Sequence, residues 1–379
     1  MRCFLKTYPN SLSVFLIAYI KNLIRSRYIY VFGYAYSKFV VSFFSGGGIR
    51  VKGLFSFFKS RTSDTSRGDF EKEQDEIEIV AKNKIYVSAN WINGLLAGKL
   101  EESADYIILE CSWGEESLNY KKGHIKGAYH LNTDMIEDDI TWKLRTAKEI
   151  EEVLKKYGIS KDTTVICYSD SAMATADDRV AFALLWAGVE NVKCLNGGLE
   201  IWKSNNLPLE KGSNKPLYTN IDFGADLPVH PEYIISTDTV RKKLETDKNF
   251  RLVSIRSRNE FLGKTSGYPY IEKAGEPKGA VWGHDTDDGS YNNEDKSIVG
   301  IEKLKEYLAE SKSSFENEVA FYCGTGWRAA VPFLIAYENN YITKLYDGGW
   351  HEWLQTPDNP VQLGDPESET VTYTTVAEI

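Results

Sequence analysis

The feature that most constrains the fold of this chain is an internal repeat that spans residues 87–353. Each copy contains a Gly-x-x-Lys-Gly-Ala motif, at Gly123–Ala128 and Gly275–Ala280, and ends with a closing motif, Gly-Gly-x-x-x-Trp, at Gly197–Trp202 and Gly348–Trp353. The second glycines of the two motifs are 71 residues apart in the first copy (127 to 198) and 70 in the second (279 to 349). Such a fixed spacing indicates that one structural unit has been duplicated.

The predicted elements follow the same order in both copies and indicate the α/β fold class. A long amphipathic helix, at 147–157 or 300–310, precedes an apolar stretch, at 163–168 or 318–322, that has the pattern of a buried strand. Alternating strands and helices favour a parallel sheet with helices on both faces. We therefore predict two tandem domains of this kind. Their boundaries are 79–210 and 232–365, with a linker at 211–231 that contains Pro and Gly and a tail at 366–379.

Residues 1–78 differ from both copies, and we assign no domain to them. Residues 1–63 contain Lys and Arg but no Asp or Glu, and their apolar runs at 12–20 and 31–44 are shorter than the roughly 20 residues of a membrane-spanning helix. A membrane-surface anchor, an atypical export signal, an acid-poor transit segment and a mispredicted start codon remain open. If the segment is genuine, we expect an exported, periplasmic or membrane-associated bacterial protein with membrane contact through 1–63. Otherwise we expect a cytoplasmic one.

Composition excludes several classes of function. The net charge of −9 disfavours a nucleic-acid-binding surface. The sequence contains no complete Gly-x4-Gly-Lys-Ser/Thr phosphate-binding loop, dinucleotide fingerprint or zinc-type cysteine spacing, so we predict no cofactor and no metal. An odd number of widely scattered cysteines argues against a disulfide framework and leaves room for a reactive thiol. The five are Cys3, Cys111, Cys167, Cys194 and Cys323.

Cys323 has the surroundings of a nucleophile. It follows the predicted strand at 318–322, and Gly324-Thr-Gly-Trp-Arg328 leads from it into a predicted helix at 329–337. Backbone N–H groups and a helix N-terminus that converge on a thiol favour the thiolate, which is the nucleophilic form. Glycines at 324 and 326 permit backbone torsions that turn N–H groups inward. A cysteine that only fills the core has no need of such an anion-binding loop.

The first copy lacks this chemistry. Aligning 165–169 with 319–323 places Ser169 at the position of Cys323. The loop that follows, 170–178, is longer, contains no glycine and is acidic, so it would repel an anion. We predict that the first domain is inactive and forms one wall of the cleft.

The duplicated motifs and the strand–Cys–glycine loop–helix arrangement resemble the rhodanese family of sulfurtransferases over about residues 80–365, in its tandem form with the cysteine only in the second copy. Some bacterial members carry the same Cys-Gly-Thr-Gly-Trp-Arg loop. The resemblance implies that Cys323 accepts a sulfane sulfur as a persulfide and passes it to a thiophilic acceptor. It also implies that Gly324, Thr325, Gly326, Trp327 and Arg328 bind the substrate. Arg256 matches a family arginine that helps to bind anionic donors.

The resemblance implies a small anionic donor (thiosulfate or 3-mercaptopyruvate) or a protein persulfide, and a cyanide or thiol acceptor. The loop lacks the extra basic residues typical of members that prefer thiosulfate, and it differs from the Gly-Ser-Gly-Val-Thr loop of mercaptopyruvate enzymes. One alternative is a non-catalytic carrier that hands sulfur to a partner in a relay. The other is a phosphatase or arsenate reductase on the related scaffold, which requires Cys-x5-Arg where this chain has Cys-x4-Arg.

Overall fold

A computed structural model describes residues 39–43, 49–53, 80–116, 118–170, 175–216, 219 and 221–379. The chain divides into two compact units, 1–70 and 71–379. In the first unit, β1 (Phe39–Phe43) pairs antiparallel with β2 (Ile49–Gly53). The apolar run at 12–20 and residues 69–78 lie outside the described residues. No helix within the described ranges has the length and apolar content that crossing a membrane requires.

The first repeat is built on a parallel sheet in the order β3-β8-β7-β4-β6. A short antiparallel pair, β5 and β9, accompanies it. The strands are β3 (Tyr86–Val87), β4 (Tyr106–Ser112), β5 (His124–Ile125), β6 (Tyr129–Asn132), β7 (Thr164–Tyr168), β8 (Asn191–Leu195) and β9 (Leu209–Glu210). The helices are α1 (Ala89–Leu96), α2 (Leu118–Lys122), α3 (Ala147–Tyr157), α4 (Ala176–Ala187) and α5 (Gly198–Ser204).

The second repeat has a parallel sheet in the order β12-β10-β13-β14 and a smaller antiparallel sheet, β11-β15-β16. The strands are β10 (Phe250–Ser254), β11 (Glu276–Pro277), β12 (Val281–Trp282), β13 (Glu318–Tyr322), β14 (Lys344–Leu345), β15 (Pro360–Leu363) and β16 (Thr372–Thr375). The helices are α6 (Thr237–Thr246), α7 (Arg258–Phe261), α8 (Ile301–Glu310), α9 (Trp327–Glu338) and α10 (Gly349–Trp353).

The central strand β7 explains the layered architecture. Val165 and Cys167 face a core that includes residues of α3 and α4, whereas Ile166 and Tyr168 face a second core that includes residues of α1 and α5. A strand that is buried on both faces is typical of a parallel sheet covered by helices on each side. The predicted fold class is therefore confirmed.

Local signals set the helix ends. Thr146 and Glu149 form a capping box at the start of α3, and Gly158 ends the helix with φ 72°, so α3 has the predicted bounds. Helix α1 begins after Ser88, whose side chain accepts from the Trp91 N–H, and ends at Leu96, shortly before Gly98 with φ 69°.

The two repeats share one core. Helices α4 and α9 pack against each other, and the rings of Phe182 and Phe333 meet edge to face with centroids 4.8 Å apart. Each of these helices follows the loop that begins at Ser169 or at Cys323. Ser169 and Cys323 therefore each lie a few residues before the helix that packs where the repeats meet.

Two segments outside the predicted domains pack more closely than expected. Phe223 of the predicted linker is buried in the shared core. Residues 372–378, which were predicted to be part of a tail, belong to the folded second repeat, because β16 pairs with β15 and Val376 is only 3% exposed. Apolar side chains in both segments cover core surface, which accounts for the difference.

Candidate functional site

Cys323 lies between the end of β13 and the start of α9, as the sequence predicts. Its side chain is 0% exposed, and the Gly326 N–H donates a hydrogen bond to Sγ over 3.2 Å. Because Gly326 is the residue before the first turn of α9, Sγ lies where the helix dipole favours negative charge. The geometry suits a thiolate or the outer sulfur of a persulfide.

The closing motif of the second repeat holds the other side of this loop. The N–H of Trp350 donates to the Cys323 carbonyl over 2.9 Å, and the N–H of His351 donates to the Gly324 carbonyl over 3.1 Å. Gly349 has φ 55°, and a Cβ there would lie 2.5 Å from the Gly324 oxygen and 2.6 Å from the Cys323 oxygen. Glycine is therefore required for α10 to approach and bind the loop carbonyls.

Arg328, a predicted substrate-binding residue, is engaged with protein acceptors in the buried interior. Its guanidinium makes a two-point contact with Glu260 over 2.9 and 3.0 Å and donates to Asp285 over 2.9 Å and to the Tyr268 hydroxyl over 2.7 Å. Burial raises the pKa of Glu260, but the hydrogen bonds from Arg328 and the charges of Arg328 and Arg256 outweigh it and bring the pKa to about 2. The positive charge of Arg328 is thus largely balanced by carboxylates.

Arg256 is also enclosed. Its side chain is 0% exposed and donates to Glu260, Glu276 and the carbonyls of Gly275 and Ser266 over 2.8–3.2 Å. These bonds tie the segment 262–275, here called the tyrosine loop, to the sheet. Donor binding by Arg256 stays a prediction, since every guanidinium nitrogen is engaged in this conformation.

The sequence reasoning missed the acid that accompanies Arg256. The last residue of β10 is Ser254, which carries no charge. Instead, Glu276 accepts a hydrogen bond from the Ser254 hydroxyl over 3.1 Å and ion-pairs with Arg256. The available signal was the Gly-x-x-Lys-Gly-Ala motif, which has Glu276 where the first copy has His124.

Aromatic side chains cover the cysteine loop, and they too were missed. The ring of Tyr268 lies on Gly324, where an added Cβ would come within 2.2 Å of it. Tyr270 packs beside Tyr268, and Trp142 of the first repeat meets Tyr270 with ring centroids 4.4 Å apart. The Gly-Tyr-Pro-Tyr run at 267–270 was the only sequence signal, and it has no counterpart in the first copy.

Trp327 connects the loop to the first repeat. Its indole N–H donates to both carboxylate oxygens of Glu137, at 2.9 and 3.0 Å, and Glu137 also accepts from Arg179 over 2.7 Å. Burial raises the pKa of Glu137 to about 7, although Arg179 and Trp327 oppose the shift. Arg179 continues to Asp347 with an ion pair of 2.6 Å. Side chains of the first repeat therefore line one side of the cysteine loop, and Trp327 is hydrogen-bonded to them.

Thr325 and Gly326 complete the loop. Thr325 is buried, with 6% of its surface exposed. Gly326 has φ 92°, and an added Cβ would lie 2.8 Å from the Arg179 guanidinium. Both positions are therefore fixed by close packing behind Cys323.

The first repeat preserves one backbone contact of this site but has a serine in place of the thiol. The Leu199 N–H donates to the Ser169 carbonyl over 3.0 Å, as the Trp350 N–H does to the Cys323 carbonyl. This confirms that Ser169 and Cys323 are equivalent positions. The Ser169 hydroxyl, however, donates to Asp177 over 2.8 Å. Residues 171–174 of the predicted acidic loop lie outside the described residues.

Comparison with known proteins agrees with this geometry. The rhodanese-like domain family matches residues 95–205 and 236–356. The thiosulfate sulfurtransferase YnjE of Escherichia coli K12 is 36% identical over 287 residues, which cover 74% of this chain and 65% of that protein, less than two thirds. A probable 3-mercaptopyruvate sulfurtransferase of Pseudomonas aeruginosa is 27% identical over 289 residues, 71% of this chain and 96% of that protein.

Solved structures show the same relationship. The crystal structure of YnjE has a TM-score of 0.69 at 35% identity and covers 74% of this chain and 68% of its own. The wild-type structure of EanB has a TM-score of 0.69 at 31% identity, and the match covers 75% of this chain and 70% of the EanB chain. Other EanB structures contain hercynine or ergothioneine, and one carries a cysteine persulfide. This chain therefore belongs to the rhodanese family of sulfurtransferases, in its tandem-domain form.

Proposed function

We propose that this protein transfers a sulfane sulfur through a persulfide on Cys323. The observation that carries the proposal is the position of Sγ, at the N-terminus of α9 and on the Gly326 N–H. The other described thiols lie inside strands, and burial raises the pKa of Cys111, Cys167 and Cys194. Among the cysteines that the structure describes, Cys323 alone follows a strand and precedes a helix.

Two displacements at sulfur account for the reaction. With thiosulfate as donor, the Cys323 thiolate attacks the sulfane sulfur, a new S–S bond forms, and sulfite leaves with the electron pair of the bond that breaks. A cyanide ion or thiolate then attacks the outer sulfur, and the Cys323 thiolate leaves. The Gly326 N–H and the α9 dipole stabilise negative charge on sulfur in both steps. Gly324, Thr325 and Gly326 supply the loop backbone.

In this proposal, Arg328 and Arg256 position other parts of the protein around Cys323. Arg328 holds the Tyr268 hydroxyl above Gly324, and Arg256 anchors the tyrosine loop. Because the nearby carboxylates balance both cations, the site offers little net positive charge to a doubly charged donor. Because Cys323 is fully buried, donor and acceptor reach it only when the cover formed by Tyr268 and Tyr270 moves aside.

Intact-mass measurement after incubation with each donor tests the proposal. We expect thiosulfate, 3-mercaptopyruvate or a protein persulfide to add one sulfur to the wild-type chain and none to Cys323→Ser. Cys111→Ala is the matched control, because it removes a buried thiol from β4 and leaves the loop intact, so it should still gain the sulfur. Sulfur addition to Cys323→Ser, or to no form of the protein with any donor, would contradict the proposal.

The rival functions predict other outcomes. A sulfur carrier would form the persulfide but release it only to a partner protein, without rapid turnover on cyanide. A phosphatase requires a free arginine over a longer loop, whereas Arg328 is bound to Glu260 and Asp285. Aryl phosphate hydrolysis that is lost in Cys323→Ser would favour the phosphatase.

A second candidate acceptor is an aromatic betaine with a quaternary ammonium group, such as the hercynine that EanB binds. The supporting observation is the group of rings above the loop, where Trp142 packs against Tyr270 and against His351 at 4.8 Å. Aromatic faces attract organic cations. Incubation of the persulfide form with hercynine, followed by mass detection of ergothioneine, tests this acceptor. Absence of product while cyanide is turned over would exclude it.

A further inference from the structure

A cavity of about 480 Å³ lies at the first repeat's counterpart of the cysteine site. Ser169 and Gly198 line it from the first repeat, and several residues between 286 and 298 line it from the second. None of residues 323–328 contributes to its walls. It is therefore separate from the site at which sulfur transfer is proposed.

The walls of this cavity are strongly acidic. A single basic side chain among the lining residues, Lys296, faces six carboxylates. The six are Asp170, Asp177, Asp178, Glu200, Asp287 and Asp288. Such an excess of one sign concentrates the opposite charge in a cleft.

Two of these carboxylates are buried and have no counterion in the part of the chain that the structure describes. Asp177 and Asp178, at the start of α4, are 6% and 5% exposed. Asp177 accepts from the Ser169 hydroxyl and Asp178 from the Tyr86 hydroxyl, and no cation of the described chain contributes to the environment of either. Burial raises the pKa of both groups. Because burial disfavours the ionised form of both groups, a cation in the cavity would stabilise that form by pairing with it.

An unsatisfied hydroxyl gives an independent indication of a ligand. Thr286 lines the cavity from the second repeat, is only 8% exposed, and its Oγ1 has no hydrogen-bond partner among the described residues. A buried hydroxyl without a partner is costly, and its lone pairs accept hydrogen bonds from an ammonium group.

We propose that this cavity binds a small organic cation that carries a primary ammonium group. Carboxylates and the Thr286 hydroxyl accept hydrogen bonds from the ammonium, and apolar lining residues such as Leu199, Ile298 and Val331 contact its carbon chain. No metal-binding group of His, Cys, Asp and Glu is found in the described ranges, which favours an organic cation over a metal ion.

Calorimetric titration of the full chain with n-butylammonium tests the proposal. We expect one saturable site, no binding of the neutral isostere 1-butanol, and no displacement by potassium chloride at matched ionic strength. Asp178→Asn keeps an acceptor for Tyr86 but removes a charge, and should weaken binding about tenfold or more, as the loss of one close charge pair implies. Glu302→Gln, at an exposed side chain on α8, is the matched control and should bind like the wild type.

Several results would overturn the proposal. The proposal is wrong if n-butylammonium shows no saturable binding, if 1-butanol binds equally well, or if potassium ions alone displace n-butylammonium. It is also wrong if Asp178→Asn or its replacement binds n-butylammonium as tightly as the wild type. Circular dichroism checks that Asp178→Asn folds, and Asp288→Asn at an exposed lining position replaces it if it does not. Cys323→Ser should retain the ammonium site, so loss of sulfur transfer and loss of this site are separate outcomes.

Discussion

Substitution of Gly349 by alanine tests how the closing motif shapes the cysteine loop. The variant places a non-glycine residue at φ 55° and a Cβ at 2.5 and 2.6 Å from two carbonyl oxygens of the loop. The left-handed backbone costs about 1–2 kcal/mol. Forcing atoms into a filled space costs a further 1–3 kcal/mol or so. We therefore expect the free energy of unfolding to fall by about 2–5 kcal/mol.

Two control variants separate these effects. At Gly127, φ is 77° but nothing lies within 4 Å of an added Cβ, so Gly127→Ala should lose only the backbone contribution of about 1–2 kcal/mol. At Gly198, an added Cβ would lie 2.9 Å from the Ser169 carbonyl, so Gly198→Ala repeats the clash beside the site that has no thiol. Both controls should form the Cys323 persulfide normally.

The assay combines urea unfolding with the rate of persulfide formation followed by intact mass. Because a misplacement of about 1 Å can cost roughly 100-fold in rate, Gly349→Ala should lose about two orders of magnitude and Gly198→Ala should not. The reasoning is refuted if Gly349→Ala reacts at the wild-type rate, or if Gly127→Ala loses as much stability as Gly349→Ala.

Three further predictions follow from buried groups. Tyr268→Phe removes the hydroxyl to which Arg328 donates at 2.7 Å and so loosens the cover over Cys323, and steady-state kinetics should show KM lowered by up to about tenfold for one lost charged hydrogen bond. Arg328→Lys cannot make the two-point contact with Glu260, and urea unfolding should show a loss of about 3 kcal/mol. Burial raises the pKa of Glu110 from 4.5 to about 7, even though the Tyr168 hydroxyl donates to it. The folded state therefore binds the proton more tightly, and this contribution to stability is lost as pH rises through that window. Glu110→Gln should reduce the decline in unfolding free energy between pH 5 and pH 8 by up to about 3 kcal/mol, and an unchanged decline would contradict the assignment.

Local patterns predicted the position of Cys323 and the core of the fold. A strand, a glycine loop and a helix are signalled by consecutive residues, and the capping box with Gly158 signals both ends of α3. The duplicated motifs made Ser169 identifiable as the equivalent position, and the Leu199 hydrogen bond confirms it.

The partners of the loop could not be predicted in the same way. Glu137 and Trp142 belong to the first repeat and reach the cysteine loop only through the packing of two domains. Glu260 lies outside the recognised motifs of the second copy and Glu276 lies within one of them, and only the folded chain brings both to the arginines. Side-chain partners that are distant in sequence leave no periodic or local signal.

The contact between α4 and α9 makes the two domains dependent on each other. Removing the first domain would expose the Phe333 face of α9 and leave Asp347 without Arg179 and Trp327 without Glu137. The first repeat, which has Ser169 in place of the thiol, therefore cannot be deleted without exposing the shared core and removing the partners of Trp327 and Asp347. We expect neither copy to be stable without the other.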